Sequence, residues 1–449
     1  MKKIFTKALK NTLIGLAGVL LLSSCFDPIF YNVMQDVPPE EATVSGNIVS
    51  IARYQISGEE YLFLAADGGI RYKKADITAH GNWKTYPKEK LPFELHSYDY
   101  YGESDGSGNS KHKGEQIIKV LADSSTLYVV TAEYNNNDSE GISYPCHFNI
   151  WGTDLSAGTD GVATDNTWVN IFKTANADNS ILRYHKVENT TKRYYIDFNV
   201  FSTNSPKNEH RKVFVRSGSS NAKIYELAGA SEITAPAAAE VAAVFADGTK
   251  DSSFVDGAAY LGDTLYFTDG FAVCNDETST ENAKNIYFAY DENDESVENT
   301  KKDYHSSKIL YKFDGTTAEP VFNRDKDNSK SYELSGSIIS LSVTSDSILI
   351  GMGDISLITG VSRGGIAKAD IINGNVDTKT TSFTTNASTQ FSSGYSLFSI
   401  LTVDPAEKEL DAIIYTTIGF KGAGTSTSVS YDNVGLWSYY PERGNWNRE

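Results

Sequence analysis

Residues 48–65 read IVSIARYQISGEEYLFLA. Two apolar runs, rich in aliphatic and aromatic residues, are broken by Ser57-Gly58, and a short polar break with glycine between such runs marks a β-hairpin. Outward from this stretch the same unit recurs: 117–121 with 127–131 about Asp123, Ser124 and Ser125; 181–186 with 194–198 about Asn189 and Thr190; 255–260 with 265–268 about Gly262 and Asp263. It returns as 338–343 with 348–351 about Ser345 and Asp346, and as 396–403 with 412–417 through 405–408.

A second hairpin follows each of these: 69–73 with 83–86, 148–151 with 167–171, 212–216 with 223–227, 308–313 with 320–323, 365–370 with 375–378, and 435–440 with 445–448. Two hairpins in succession make a four-stranded antiparallel meander, and six meanders of roughly 65 to 80 residues account for nearly the whole chain. A lone meander has two apolar faces and cannot bury both. Stacking the units face to face around an axis buries them, so the pattern predicts an all-β fold, a β-propeller of about six four-stranded blades. Seven blades, with one hidden in 230–245 or in the acidic stretch, and one or two β-sandwiches are the alternatives. Helical periodicity is confined to the Ala-rich run 236–245.

Composition agrees: 27 Tyr, 21 Phe and 35 Gly against 3 Met suit aromatic strands and tight turns. Cys25, Cys146 and Cys274 are the only cysteines. The latter two fall in different repeats, so the expectation is two unpaired thiols rather than a disulfide framework.

The N-terminus has the zones of an export signal. Lys2, Lys3, Lys7 and Lys10 precede an apolar stretch at 13–22, too short for a bilayer span of about 20 residues. It ends in Leu22-Ser23-Ser24-Cys25, which resembles the bacterial lipobox. In that family the cysteine thiol takes a diacylglycerol, the preceding peptide is cut, and the new amino group becomes a further acylation point. The resemblance implies lipidation of Cys25, with residues 1–24 as signal peptide, 25–45 as lipidated cysteine and tether, and 46–449 as the propeller domain. Two or three acyl chains would hold the protein firmly to its membrane. Loss of the signal also removes four lysines, so the formal charge moves from −18 to −22. A surface this acidic repels nucleic acid and anionic headgroups and excludes them as main partners.

In a propeller the turns within hairpins share one face, and the links between hairpins and between blades share the other. The long segments 87–115, 132–146, 202–209, 269–306, 324–334, 379–394 and 418–433 are all expected on the second face, which becomes the candidate working surface. The longest, 269–306, carries ten acidic residues but no glycine or ligand spacing of a calcium loop. Asp325-Lys326-Asp327 lacks the loop's sixth-position glycine as well.

Catalytic signatures are absent. Gly102-Glu103-Ser104-Asp105-Gly106 has the letters of a nucleophile elbow without a strand before it or a helix after it. His80, His96, His112, His147, His185, His210 and His305 show no zinc spacing, and Cys146-His147 has no second pair nearby. No phosphate-binding glycine loop is present. Tyr98, Tyr100 and Tyr101 are candidates for stacking on sugars. The sequence therefore assigns no catalytic, cofactor or metal residue, and Cys25 is its only site residue.

Gly81-Asn82-Trp83 and Gly444-Asn445-Trp446 open the outer strands of the first and last units and resemble the tail of the aspartate box of sialidase-like propellers. The serine and aspartate of that box have no counterparts, so no glycosidase site is carried over. As a whole, the lipobox, the tail Phe26-Asp27-Pro28-Ile29-Phe30-Tyr31 and the blade-like repeats resemble the β-propeller lipoproteins of spirochaetes. The resemblance implies an extracytoplasmic protein, lipid-anchored at the outer membrane or a periplasmic face. The functional expectation is a cell-envelope binding or scaffold module for a protein or glycan partner. Its rival is an extracytoplasmic glycan hydrolase with carboxylates near the axis, Asp197 and Asp256 being the candidates. Two carboxylates about 5 to 9 Å apart in a pocket would favour the hydrolase.

Overall fold

The computed structural model describes residues 44, 48, 50–66, 68–75, 82–100, 110–135, 144–159, 161–173, 182–186, 192–196, 198–202, 208, 211–217 and 223–229, and after these the strands given below with Glu449. The chain divides into two units, Met1–Glu41 and Ala42–Glu449, and every strand belongs to the second.

Blade one is the antiparallel meander β1 (Ile51–Ile56), β2 (Glu59–Ala66), β3 (Gly69–Lys74) and β4 (Lys84–Thr85). A hairpin of β5 (Ser97–Tyr100) and β6 (Ser110–Lys113) precedes blade two, formed by β7 (Glu115–Ala122), β8 (Leu127–Asn135), β9 (Tyr144–Thr153) and β10 (Val169–Lys173). A hairpin of β11 (Leu182–Lys186) and β12 (Lys192–Ile196) then leads into blade three, described as β13 (Phe198–Ser202), β14 (Val213–Ser217) and β15 (Lys223–Leu227). Another hairpin, β16 (Ala258–Leu261) and β17 (Thr264–Phe267), leads into blade four: β18 (Val273–Asn275), β19 (Ile286–Tyr290), β20 (Ile309–Phe313) and β21 (Ala318–Asn323). Blade five is β22 (Ser337–Val343), β23 (Ser347–Gly353), β24 (Gly365–Ile372) and β25 (Asn375–Ser382). Blade six is β26 (Ser396–Val403), β27 (Ile413–Gly419), β28 (Gly435–Tyr440) and β29 (Asn445–Arg448).

The first strands of the blades close a ring: β1 lies against β7, β7 against β13, β13 against β18, β18 against β22, β22 against β26, and β26 against β1. That ring is a six-bladed β-propeller, and it sets aside the layered sandwich. Side-chain alternation explains why the sheets stack this way. Ala52, Tyr54 and Phe63 of blade one pack with Val120, Leu127 and Val129 of blade two, whose opposite face sends Tyr128, Val130, Phe148 and Ile150 onto Val200, Val213 and Val215 of blade three. On its other side blade one buries Ile51, Leu62 and Leu64 against Tyr415 and Leu436 of blade six. Each fully buried aliphatic or aromatic side chain contributes about 2 kcal/mol, so a meander gains its stability only between two neighbours.

Polar side chains stitch the inner strands. Ser50 Oγ donates to the Val120 carbonyl at 3.0 Å and accepts from the Val120 N–H at 2.9 Å. One blade on, the buried Lys119 ammonium donates to the Val200 carbonyl at 3.0 Å. The positions correspond in sequence: Ile48-Val49-Ser50-Ile51, Ile117-Ile118-Lys119-Val120, Ile338-Ile339-Ser340-Leu341 and Leu397-Phe398-Ser399-Ile400. In the last three a bulge falls just before the polar residue. A bulge inserts one residue and re-aims the side chain after it.

Blades six and one are joined around Glu449. Its carbonyl accepts from Val44 N–H at 3.3 Å, and its N–H donates to Leu436 O at 3.0 Å. Its side-chain Oε2 accepts from Lys73 Nζ at 2.8 Å and Trp83 Nε1 at 3.1 Å. Lys73 also lies over the rings of Trp83 and Tyr415, 5.2 and 5.1 Å from their centroids.

Three expectations are corrected. The hairpins at 181–198 and 255–268 exist, but they are not the inner hairpins of blades three and four; β12 pairs with β16, giving a separate sheet in the order β11-β12-β16-β17. The inner strands there are β13 and β18. The acidic stretch 269–306 is not one loop, because it contains β18 and β19. Finally, the long connections do not all share one face. The one at 203–212 joins first to second strand and so belongs with the hairpin turns, as seen where Arg211 reaches Glu60 beside the β1–β2 turn and Asn208 reaches Ser124 in the β7–β8 turn. Cys146 and Cys274 lie in β9 and β18, in different blades. The run 236–245, the segment 102–106, Cys25, Asp197 and Asp256 fall outside the described residues.

Candidate functional site

The face that receives the ends of β8 and β10 and the starts of β7 and β9, here the link face, carries a polar cluster at blade two. Elsewhere the surface of blade two toward blade one is apolar, as at Val120, Leu127 and Val129. Toward the link face the alternation continues with Thr131, Glu133 and Asn149. Period-two side-chain placement thus brings residues from four strands onto one patch.

Glu115 is set by the chain before it. Gly114 adopts φ +77°, and a Cβ there would stand 2.6 Å from the Glu94 carbonyl, so only glycine lets the strand start this close to 94–96. Glu115 N–H donates to Glu94 O at 2.8 Å, and His96 N–H donates to Glu115 O at 2.9 Å. Phe93, from the same segment, packs on Trp151 with ring centroids 5.8 Å apart.

The Glu115 carboxylate accepts from Trp151 Nε1 at 3.0 Å, from Asn149 Nδ2 at 3.1 Å and from Thr131 Oγ1. Asn149 Nδ2 also donates to Glu133 Oε1 at 3.0 Å, where Lys173 Nζ arrives at 3.0 Å. Asn170 Nδ2 completes the patch, donating to Asn149 Oδ1 at 3.2 Å. Thr131 and Asn149 form a buried floor, Glu115, Trp151 and Asn170 are half-buried, and Lys173 is 49% exposed at the rim.

Sharing one amide nitrogen holds the two carboxylate oxygens at most about 6 Å apart, with Asn149 between them. Burial pushes Glu133 up, but the Asn149 amide, Lys173 and nearby His147 outweigh it, and the carboxyl titrates below its ordinary value. A glycosidase acid is shifted the other way, since it must keep its proton to give it to the leaving group. The cluster offers hydrogen-bond donors and acceptors at a surface, with Glu133 held in its charged form. Among the described residues no three His, Cys, Asp or Glu side chains group as metal ligands.

On the opposite face, side-chain bonds tie blades one to three. Arg53 Nε donates to Glu60 at 3.2 Å, and the Arg211 guanidinium, its side chain fully buried, donates to both Glu60 oxygens at 2.9 Å. Arg211 also bonds Asn208 Oδ1 at 3.0 Å, and Asn208 Nδ2 bonds Ser124 O at 3.1 Å. Tyr98 and Tyr100 lie in β5, and His96 is half-buried beside Glu115. Sequence reading missed Glu115, Asn149 and Trp151. Its available signal was the polar break in the apolar alternation of β8 and β9.

No family model and no curated relative matches this sequence. Among solved structures, the chain is similar to a GH43_1 enzyme from Xanthomonas citri, with a TM-score of 0.32 and 9% identity over 76% of this chain and 93% of that one. It is also similar to a glycosyl hydrolase from Bacteroides ovatus (TM-score 0.30, 12% identity, 73% of this chain and 85% of that one). A third is the Trypanosoma rangeli sialidase in complex with the inhibitor DANA (TM-score 0.31, 9% identity, 85% of this chain and 55% of that one). Likeness at this level carries no argument about activity, and the six-bladed assignment rests on strand pairing and ring closure.

Proposed function

We propose that this chain is a cell-envelope lipoprotein, anchored through acylated Cys25, whose propeller is a binding or scaffold module presenting its link face to a protein or glycan partner. The observation that carries the reading is the blade-two patch of Glu115, Glu133, Asn149, Trp151, Asn170 and Lys173, which combines donors, acceptors and an aromatic edge at the face receiving most of the long connections. Rigid blades displaying such groups beside variable connections are the usual arrangement for recognition. Val44 lies beside Glu449 and Gly435 at the link-face ends of blade six.

Two experiments test the parts separately. Metabolic labelling with palmitate should tag the wild-type chain and leave Cys25→Ala unlabelled; an unlabelled wild type ends the anchor reading. Capture of an envelope partner by the purified full chain should be lost in Asn170→Trp/Lys173→Glu and kept in Ser124→Trp on the opposite face. Equal capture by both variants ends the link-face reading.

A further inference from the structure

We propose that the partner on the blade-two patch is a protein and that it seats a lysine side chain on the Glu115 carboxylate. The inference names the partner class for the link-face reading above and rests on it.

Glu94, Glu115 and Glu133 stand together at the link end of blade two, and their company differs. Glu133 Oε1 meets the Lys173 ammonium at 3.0 Å, and Glu94 Oε1 meets the Lys113 ammonium at 3.1 Å. Glu115 has no cation among the described residues. Its side-chain partners are the Trp151 indole, the Asn149 amide and the Thr131 hydroxyl, all neutral. All three donate to Oε2, so one oxygen receives every hydrogen bond and Oε1 receives none. Neutral donors fix a carboxylate in place without cancelling its charge. A half-buried carboxylate without a counter-ion is unfavourable, and a cation brought from outside relieves that cost.

The rest of the patch is turned the same way. Asn149 Nδ2 is engaged by the two carboxylates, and Asn170 Nδ2 by Asn149 Oδ1. What faces outward is then oxygen. Glu115 Oε1 and Asn170 Oδ1 accept no hydrogen bond among the described residues, and neither is a buried atom. The one exposed ammonium, Lys173, already lies on Glu133. A partner must therefore bring donors. Sugar hydroxyls both donate and accept, and a patch whose amide N–H groups point inward answers only half of that need. An ammonium donates and accepts nothing.

Geometry selects among cations. A single open oxygen has no match for the two-pronged fork of arginine, whereas a lysine ammonium is a point charge that needs only one. Phe93 and Trp151 are half-buried with ring centroids 5.8 Å apart, and Trp151 is itself bonded to Glu115. The two rings give the methylene stem of a lysine an apolar flank beside the carboxylate. An amine fixed on a sugar ring has no such stem. The formal charge of −18 adds long-range attraction for a basic protein.

The Trp151 indole reports on the site directly, because its N–H donates to Glu115. The chain has five tryptophans, so the indole region of a nitrogen–proton correlation spectrum of the purified full chain is sparse, and Trp151→Phe identifies the signal by its loss. Tetralysine should shift that signal in a salt-sensitive manner, and the same peptide with acetylated side chains should not. Glu115→Gln keeps an oxygen for the three inward donors and should weaken tetralysine binding about ten-fold at an unchanged melting temperature. Glu59→Gln, the same change of charge beside the β1–β2 turn, should leave it unchanged. An unmoved Trp151 signal, equal shifts with the acetylated peptide, wild-type affinity in Glu115→Gln, equal weakening in Glu59→Gln, or tighter binding of a glucosamine tetramer than of tetralysine would each overturn the proposal. An envelope partner captured through Asn170 and Lys173 with equal affinity by wild type and Glu115→Gln refutes this inference alone. Tetralysine bound at Glu115, with partner capture lost only in Ser124→Trp, refutes the broader reading instead.

Discussion

The Ser50 hydroxyl of blade one engages both backbone groups of Val120 in blade two, donating to its carbonyl at 3.0 Å and accepting from its N–H at 2.9 Å. One side chain thus satisfies a whole peptide position on a strand that has no ladder partner on that side. Ser50→Ala leaves that buried N–H and carbonyl without these bonds, so urea unfolding should show a loss of about 1–3 kcal/mol. A loss within error would mean that the inner strands are held by apolar packing alone.

The second closure point is the ion pair of Lys73 and Glu449, whose side chains are 2% and 0% exposed. Removing one partner of a buried pair strands the other charge, which typically costs about 3–5 kcal/mol. Lys73→Met should therefore lower thermal stability sharply, and adding Glu449→Leu should restore much of it. Independent, additive losses in the two variants would contradict a paired latch between blades six and one.

Acid titration reads the blade-two cluster. Glu133 is held below its ordinary value despite partial burial, so its charge stabilises the fold above the unfolded-state value, and that contribution disappears as pH falls through the lower folded-state value. Lys173→Met removes one of the groups responsible. Its acid unfolding curve should lie closer to the wild type below about pH 4 than at neutral pH, where the lost attraction is felt. A constant difference across that range would rule out the coupling.

Tyr54 gives the alkaline counterpart. Burial is the main reason its phenol is pushed up to about 12, and its hydroxyl donates to Ser125 O at 2.6 Å while accepting from Leu155 N–H at 3.1 Å. A raised phenol contributes stability that is complete below the unfolded value of about 10 and is lost as pH climbs toward the folded one. Burial raises Tyr128 as well, so phenolate absorbance should show late-titrating tyrosines whose amplitude falls by one residue in Tyr54→Phe. An ordinary titration curve in the wild type would contradict that burial.

Blades one, two, five and six were legible because each inner hairpin combines a strong apolar run with a turn of glycine, serine or aspartate. The reading slipped at blades three and four for identifiable reasons. β12 ends at Ile196 and β13 begins at Phe198, so aromatic and aliphatic residues on both sides of Asp197 pass for one strand. β18 is three residues long and β19 is followed at once by Asp291 and Glu292, which hides both within an acidic stretch. Extra hairpins with strand-like sequence then took the places of the true inner strands. The candidate site was illegible because its residues are spread from Glu115 to Lys173 and meet only through sheet register.

Hydrogen exchange of the full chain with and without its captured envelope partner tests the central claim most directly. Protection should appear at 93–96 and 172–173 on the link side and leave the turns at 57–58 and 124–125 unchanged. Protection confined to those turns would place the partner on the opposite face and contradict the account.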